Sequence, residues 1–146
     1  MRTFGLAPSL TFVVLLSFSI TACSRGSASS NGACSRIVGS WQGNGVETDG
    51  GQDPEAVRVV DEVMREERWR ITRVLPNALQ RERIGAAGRA IGEAMYVTNE
   101  TRDVCALEIR GERQRTRSVQ FTVRSDTQVD VNSSDSWYTL HLVRRR

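Results

Sequence analysis

The chain has 146 residues, with 20 basic side chains against 17 acidic ones and a formal net charge of +3. Every basic residue is arginine, which excludes chemistry through a lysine amine, and acids and bases interleave rather than forming the one-signed stripe of a nucleic-acid surface. A single histidine and three cysteines without a Cys-x-x-Cys spacing argue against a zinc site, and no motif calls for a cofactor or a metal.

The chain opens with one basic residue, Arg2, followed by the apolar run LTFVVLLSFSI from Leu10 to Ile20 and the small residues Thr21 and Ala22. This is the layout of a secretory signal, and the run falls short of the roughly 20 apolar residues of a spanning helix. The segment ITAC, ending at Cys23, resembles the bacterial lipobox. The resemblance implies cleavage after Ala22, diacylglycerol on the Cys23 thiol and acylation of the new N-terminus, with an ordinary cleaved signal as the alternative. Each buried methylene would add about 0.8 kcal/mol to membrane affinity. Ser24 in the following position, in place of Asp, implies export to the outer membrane, facing the periplasm. Three segments are expected: a signal peptide over 1–22, a lipid-anchored tether over 23–33 and one folded domain over 34–146. Ten flexible residues would reach roughly 17 Å.

With Cys23 lipidated, Cys34 and Cys105 remain, and in an oxidising compartment an even pair points to a disulfide, two buried free thiols being the alternative. The stretch IVGSWQGNG follows, with Ile37, Gly39 and Trp41 on one parity. The Gly39-Ser40-Trp41 motif resembles the first strand of the lipocalin-like (calycin-type) small β-barrels. DPEAVRVVDEVMREE then predicts a helix: Asp53 can cap it, Pro54 suits its first position, and Val57, Val60, Val63 and Met64 form an apolar stripe that would cover one end of a barrel.

From Glu67 the period changes to two. RWRITRV sets Trp69 and Ile71 on one face, LPN at 75–77 is a turn, and strands are expected around 78–84 and 90–98. VCALEI carries Cys105, Leu107 and Ile109 on one face, SVQFTV carries Val119, Phe121 and Val123, TQVDV carries Val129 and Val131, and WYTLHLVR carries Tyr138, Leu140 and Leu142. Seven or eight antiparallel strands with one apolar face close most simply into an up-and-down barrel. The fold class is therefore all-β with one helix after the first strand. The lipocalin-like resemblance implies that Arg144, on the inner parity of the last strand, lies across the Trp41 indole and closes the barrel floor beside Gly39.

The chain shows no nucleophile paired with a base and no converging carboxylates, and a non-enzymatic protein is expected. His141 points outward by parity, and Asp126, Asp130 and Asp135 read as turn and solvent-face residues. The expected function is to bind a small apolar ligand within or at the mouth of the barrel, in a pocket lined by Trp69, Ile71, Leu107, Phe121, Tyr138 and Leu140. The alternative is an envelope interaction module, such as a hydrolase inhibitor or assembly accessory, acting through its loops or outer wall. A wide cavity favours the first, and a filled interior with an exposed apolar patch favours the second.

Overall fold

The computed structural model describes residues 32–84, 88, 90–111 and 115–146. The expected signal peptide, the expected lipidation site Cys23 and the expected tether up to residue 31 lie outside the described residues. A short helix, α1 (Ala33–Arg36), precedes β1 (Gly39–Thr48) and α2 (Pro54–Glu66). Seven further strands follow: β2 (Arg68–Leu75), β3 (Ala78–Ile84), β4 (Ala90–Glu100), β5 (Val104–Arg110), β6 (Thr116–Val123), β7 (Gln128–Ser133) and β8 (Tyr138–Arg144). Every strand pairs antiparallel with its successor, and β8 returns to β1, so the sheet is a closed eight-stranded barrel in sequence order. This is the all-β barrel that the period-two alternation predicts. The short helix α1 carries no periodic signal and was not foreshadowed by it.

The interior is built from the predicted inward parity. Trp41, Ile71, Leu79, Met95, Leu107, Phe121, Val129 and Leu142 are all fully buried. They belong to one hydrophobic cluster in the lower barrel, where each buried aliphatic or aromatic side chain contributes about 1.5–3 kcal/mol.

β1 pairs with β2 only from Gly39 to Gln42, whereas it follows β8 through a bulge between Gly43 and Val46. Beyond Gln42 its other edge would be unpaired, and α2 covers it. The Gly43 N–H donates to the Glu67 carbonyl at 3.0 Å and the Val46 N–H to Asp61 Oδ1 at 2.8 Å. A Cβ on Gly43 would stand 1.7 Å from the Met64 carbonyl oxygen, so this close approach requires glycine. The start of α2 is set as the sequence implies, with Asp53 Oδ1 accepting the Glu55 N–H at 3.1 Å and Pro54 in the first turn. Its inward stripe needs correction. Val63 is half-exposed, and Val57, Val60, Asp61 and Met64 are the partly covered positions, three and four residues apart. Asp61 holds an inward position because the β1 edge offers it an amide to satisfy.

The end of the barrel opposite α2 is closed. Cys34 and Cys105 form a disulfide that ties α1 to β5, with both residues fully buried. The Arg144 guanidinium lies 4.4 Å from the Trp41 ring centroid. It donates to the carbonyls of Val38 at 3.2 Å, Arg36 at 2.5 Å and Asp126 at 2.9 Å. The Trp41 indole N–H in turn donates to the Ile37 carbonyl at 2.8 Å. Gly39 has φ +140°, and a Cβ there would meet Arg144 Nη1 at 2.5 Å. The Gly-x-Trp spacing thus has a physical content: the glycine yields the space through which the arginine reaches the indole.

Candidate functional site

The mouth lies at the α2 end, where β2, β4, β6 and β8 begin and β3 and β7 finish. A cavity of about 240 Å³ opens there, with Met64, Val119, Val131 and Leu140 in its lining. Much of the remaining lining is charged. Arg81, Arg83 and Arg117 enter from β3 and β6, accompanied by Glu67 and, behind them, Glu93 of β4.

These groups form two linked sets. Glu93 accepts from Arg81 Nε at 3.1 Å and also from its Nη2, and its other oxygen accepts from Arg117 Nη2 at 2.8 Å. Glu67 accepts from Arg83 Nη2 at 2.6 Å and from the Trp69 indole N–H at 2.6 Å. The Arg81 guanidinium stacks 4.4 Å from the Trp69 centroid, and Trp69 meets Phe121 edge to face below it. At the rim Arg117 reaches the exposed Asp135, which also accepts from the Ser133 hydroxyl. Trp137 packs edge to face on Tyr138, whose hydroxyl contacts Met64 Sδ at 3.6 Å.

The electrostatics follow from depth. Burial pushes the Glu93 carboxyl up, but the Arg81 hydrogen bond and the charges of Arg81, Arg117 and Arg83 outweigh it and hold the group below its ordinary value. Arg81 is almost fully buried, and desolvation draws its pKa down against the pull of Glu93. For Arg83 burial acts downward, yet the Glu67 hydrogen bond and nearby carboxylates leave it raised. Asp135 is pushed up by burial and pulled further down by Ser133 and Arg117.

Of the six expected pocket residues, Trp69, Tyr138 and Leu140 line the cavity. Ile71, Leu107 and Phe121 do not: they sit deeper and are sealed in the packed core. The arginine–carboxylate cluster was missed. Its signal was present in β3, where Arg81 and Arg83 share the inward parity of Leu79, and in β6, where Arg117 shares that of Val119. Cys34 and Cys105 are bonded to each other, and Gly39, Trp41 and Arg144 meet at the opposite, closed end.

On the outer wall, the predicted solvent-face role of Asp130 also needs correction. It is buried, with Oδ1 at 2.7 Å from His141 Nδ1 and Oδ2 accepting from Arg124 Nε at 2.5 Å. The second ring nitrogen of His141 lies 3.5 Å from Glu47. The reason is that neighbouring outward positions on β7 and β8 pair directly, Asp130 opposite His141, so each covers the other.

No protein-family profile matches the chain, and no curated protein matches it. Solved structures do. A redesigned β-barrel is 24% identical with a TM-score of 0.50, over 78% of this chain and 96% of that one. A mutant of the fluorescent protein UnaG is 9% identical with a TM-score of 0.50, over 77% of this chain and 97% of that one. The redesigned barrel mFAP1, bound to DFHBI, is 19% identical with a TM-score of 0.43, over 77% of this chain and 98% of that one. The chain therefore has the lipocalin-like architecture: a closed eight-stranded antiparallel barrel with its main helix after the first strand.

Proposed function

We propose that this protein is a non-enzymatic lipoprotein of the bacterial envelope, anchored through Cys23 in the outer membrane, that holds a small ligand in the mouth of its barrel. The observation that carries the binding role is the mouth cavity, where apolar side chains and convergent polar groups share one lining above the buried core of the barrel. The ITAC segment supports the anchor, and the Cys34–Cys105 disulfide suits an oxidising compartment such as the periplasm.

The described chain starts at Gly32, beside Glu100 and the Thr101 carbonyl at the closed end. A tether leaving there would put the floor toward the membrane and the mouth toward the periplasm. The test is purification from native membranes, followed by mass spectrometry of the intact protein under native conditions. The expected result is a triacylated Cys23 and a co-purifying small molecule that Leu140→Trp, which fills the cavity, abolishes. A protein without lipid, or a bound mass indifferent to Leu140→Trp, would refute the corresponding half of the proposal.

A further inference from the structure

Among the described residues, the mouth contains more hydrogen-bond donors than its own acceptors take up. Each guanidinium presents five N–H groups and no acceptor, and it stays charged at any physiological pH. Against three of them stand the carboxylates of Glu67, Glu93 and Asp135, and both oxygens of each already accept a bond from the protein. Arg83 gives one N–H to Glu67, while its Nε is buried with no acceptor among the described residues. Burying a donor without a partner is costly, and a polar group in a cavity wall with this imbalance is complementary to an acceptor-rich guest.

Charge and size narrow the class. Among the described residues the three arginines and three carboxylates balance, so the preference arises from unmet donors rather than from a net positive field. Asp135 is the weakest of the three carboxylates in place, since its side chain is 54% exposed at the rim whereas Glu67 is 8% and Glu93 22% exposed. An incoming oxyanion competes with Asp135 for Arg117 and leaves the buried pairs intact. The volume of about 240 Å³ lies below the usual ~300–1,000 Å³ of drug-sized pockets, too small for a long acyl chain. Val119, Val131 and Leu140 in the same lining suit a compact apolar body, with the Trp137–Tyr138 pair at the entrance.

Building on the binding role proposed above, we infer that the ligand is a compact, ring-bearing carboxylate or sulfonate whose oxyanion sits between Arg83 and Arg117. The probes are 1-naphthoate and its neutral isostere 1-naphthamide, titrated calorimetrically into the full-length protein at fixed ionic strength. Naphthoate should bind at least tenfold more tightly than naphthamide. Arg117→Gln should bring naphthoate to the level of naphthamide without weakening the amide, and Arg68→Gln on the outer wall should leave both unchanged. Asp135→Asn, a rim change with little consequence for folding, should strengthen naphthoate binding several-fold by removing the competitor. Equal affinities for acid and amide, or weaker naphthoate binding in Asp135→Asn, would overturn the oxyanion assignment while leaving a ligand-binding barrel standing. A protein that binds neither probe and carries no small molecule from native membranes would remove both readings together.

Discussion

Replacing Arg144 by alanine removes the clasp between the last strand and the first, and its cost can be built from the geometry. The guanidinium stacks 4.4 Å from the Trp41 centroid, and a desolvated cation over tryptophan is worth about 2 kcal/mol. The same group donates to three carbonyls, those of Val38, Arg36 and Asp126. Bonds from a charged donor contribute about 1.5–3 kcal/mol each when buried, but Arg144 is only partly covered and water can replace much of this. A net loss of about 3 kcal/mol is expected, and at roughly 4 °C per kcal/mol for a domain of this size the midpoint should fall by about 12 °C. Thermal unfolding followed by circular dichroism of the oxidised protein measures it, and Trp41, uncovered, should shift its emission to the red. Arg144→Lys should recover only part of the loss, because an ammonium lacks the planar fork that stacks and donates at once. The side chain of Arg145 is exposed and, among the described residues, it is held through its backbone N–H to the Ser40 carbonyl, so Arg145→Ala should be near neutral. If Arg144→Ala and Arg145→Ala unfold within 1–2 °C of each other, on the order of a few tenths of a kcal/mol, the clasp does not hold the floor and the reasoning fails.

Alkylation of the unreduced, denatured protein should leave Cys34 and Cys105 unmodified, and their replacement by alanine together should cost about 4 kcal/mol for a loop of this length; two labelled thiols without reductant would reject the bridge. The folded-state carboxyls of Glu93 and Asp130 lie below their ordinary values of 4.5 and 3.8, so the stability they contribute is present in full above those values and is lost as pH falls through the folded ones. The unfolding midpoint at constant ionic strength should therefore be level from pH 7 to about 5 and drop steeply below about 4.5, less so in Glu93→Gln with Asp130→Asn; a midpoint that rises on acidification would contradict the sign. Gly43→Ala drives a methyl group into the Met64 carbonyl and should lift α2 from β1, speeding amide exchange over residues 54–66 while the exchange of β4 to β6 stays slow. Unchanged protection of α2 would show that the helix is held by something other than this contact.

The barrel was legible because alternation is a local property. Cys105, Leu107 and Ile109, then Val119, Phe121 and Val123, state which face of each strand is buried without reference to any other strand. The α2 start was equally readable, since Asp53 and Pro54 act within one turn. The mouth was not legible for the opposite reason. In β3 the inward positions are Leu79, Arg81 and Arg83, so the apolar signal fades just where the strand enters the site, and the charges that matter read as solvent-facing.

Parity tells which way a side chain points, and it says nothing of how deep along the barrel it lies. Trp69 and Ile71 are identical by alternation, yet one lines the cavity and the other is sealed beneath it. Depth is set by strand tilt and by register against neighbours distant in sequence, as when β1 leaves β2 at Gln42 and α2 takes its place. The amino-acid sequence alone thus determined the strands, their buried faces, the helix and the cysteines available to pair. The tertiary structure decided that Arg81, Arg83 and Arg117, from two strands more than 30 residues apart, share one mouth with Glu67 and Glu93. Those contacts are made by closing the sheet on itself, and no local pattern encodes where two strands meet when the pairing between them runs through others.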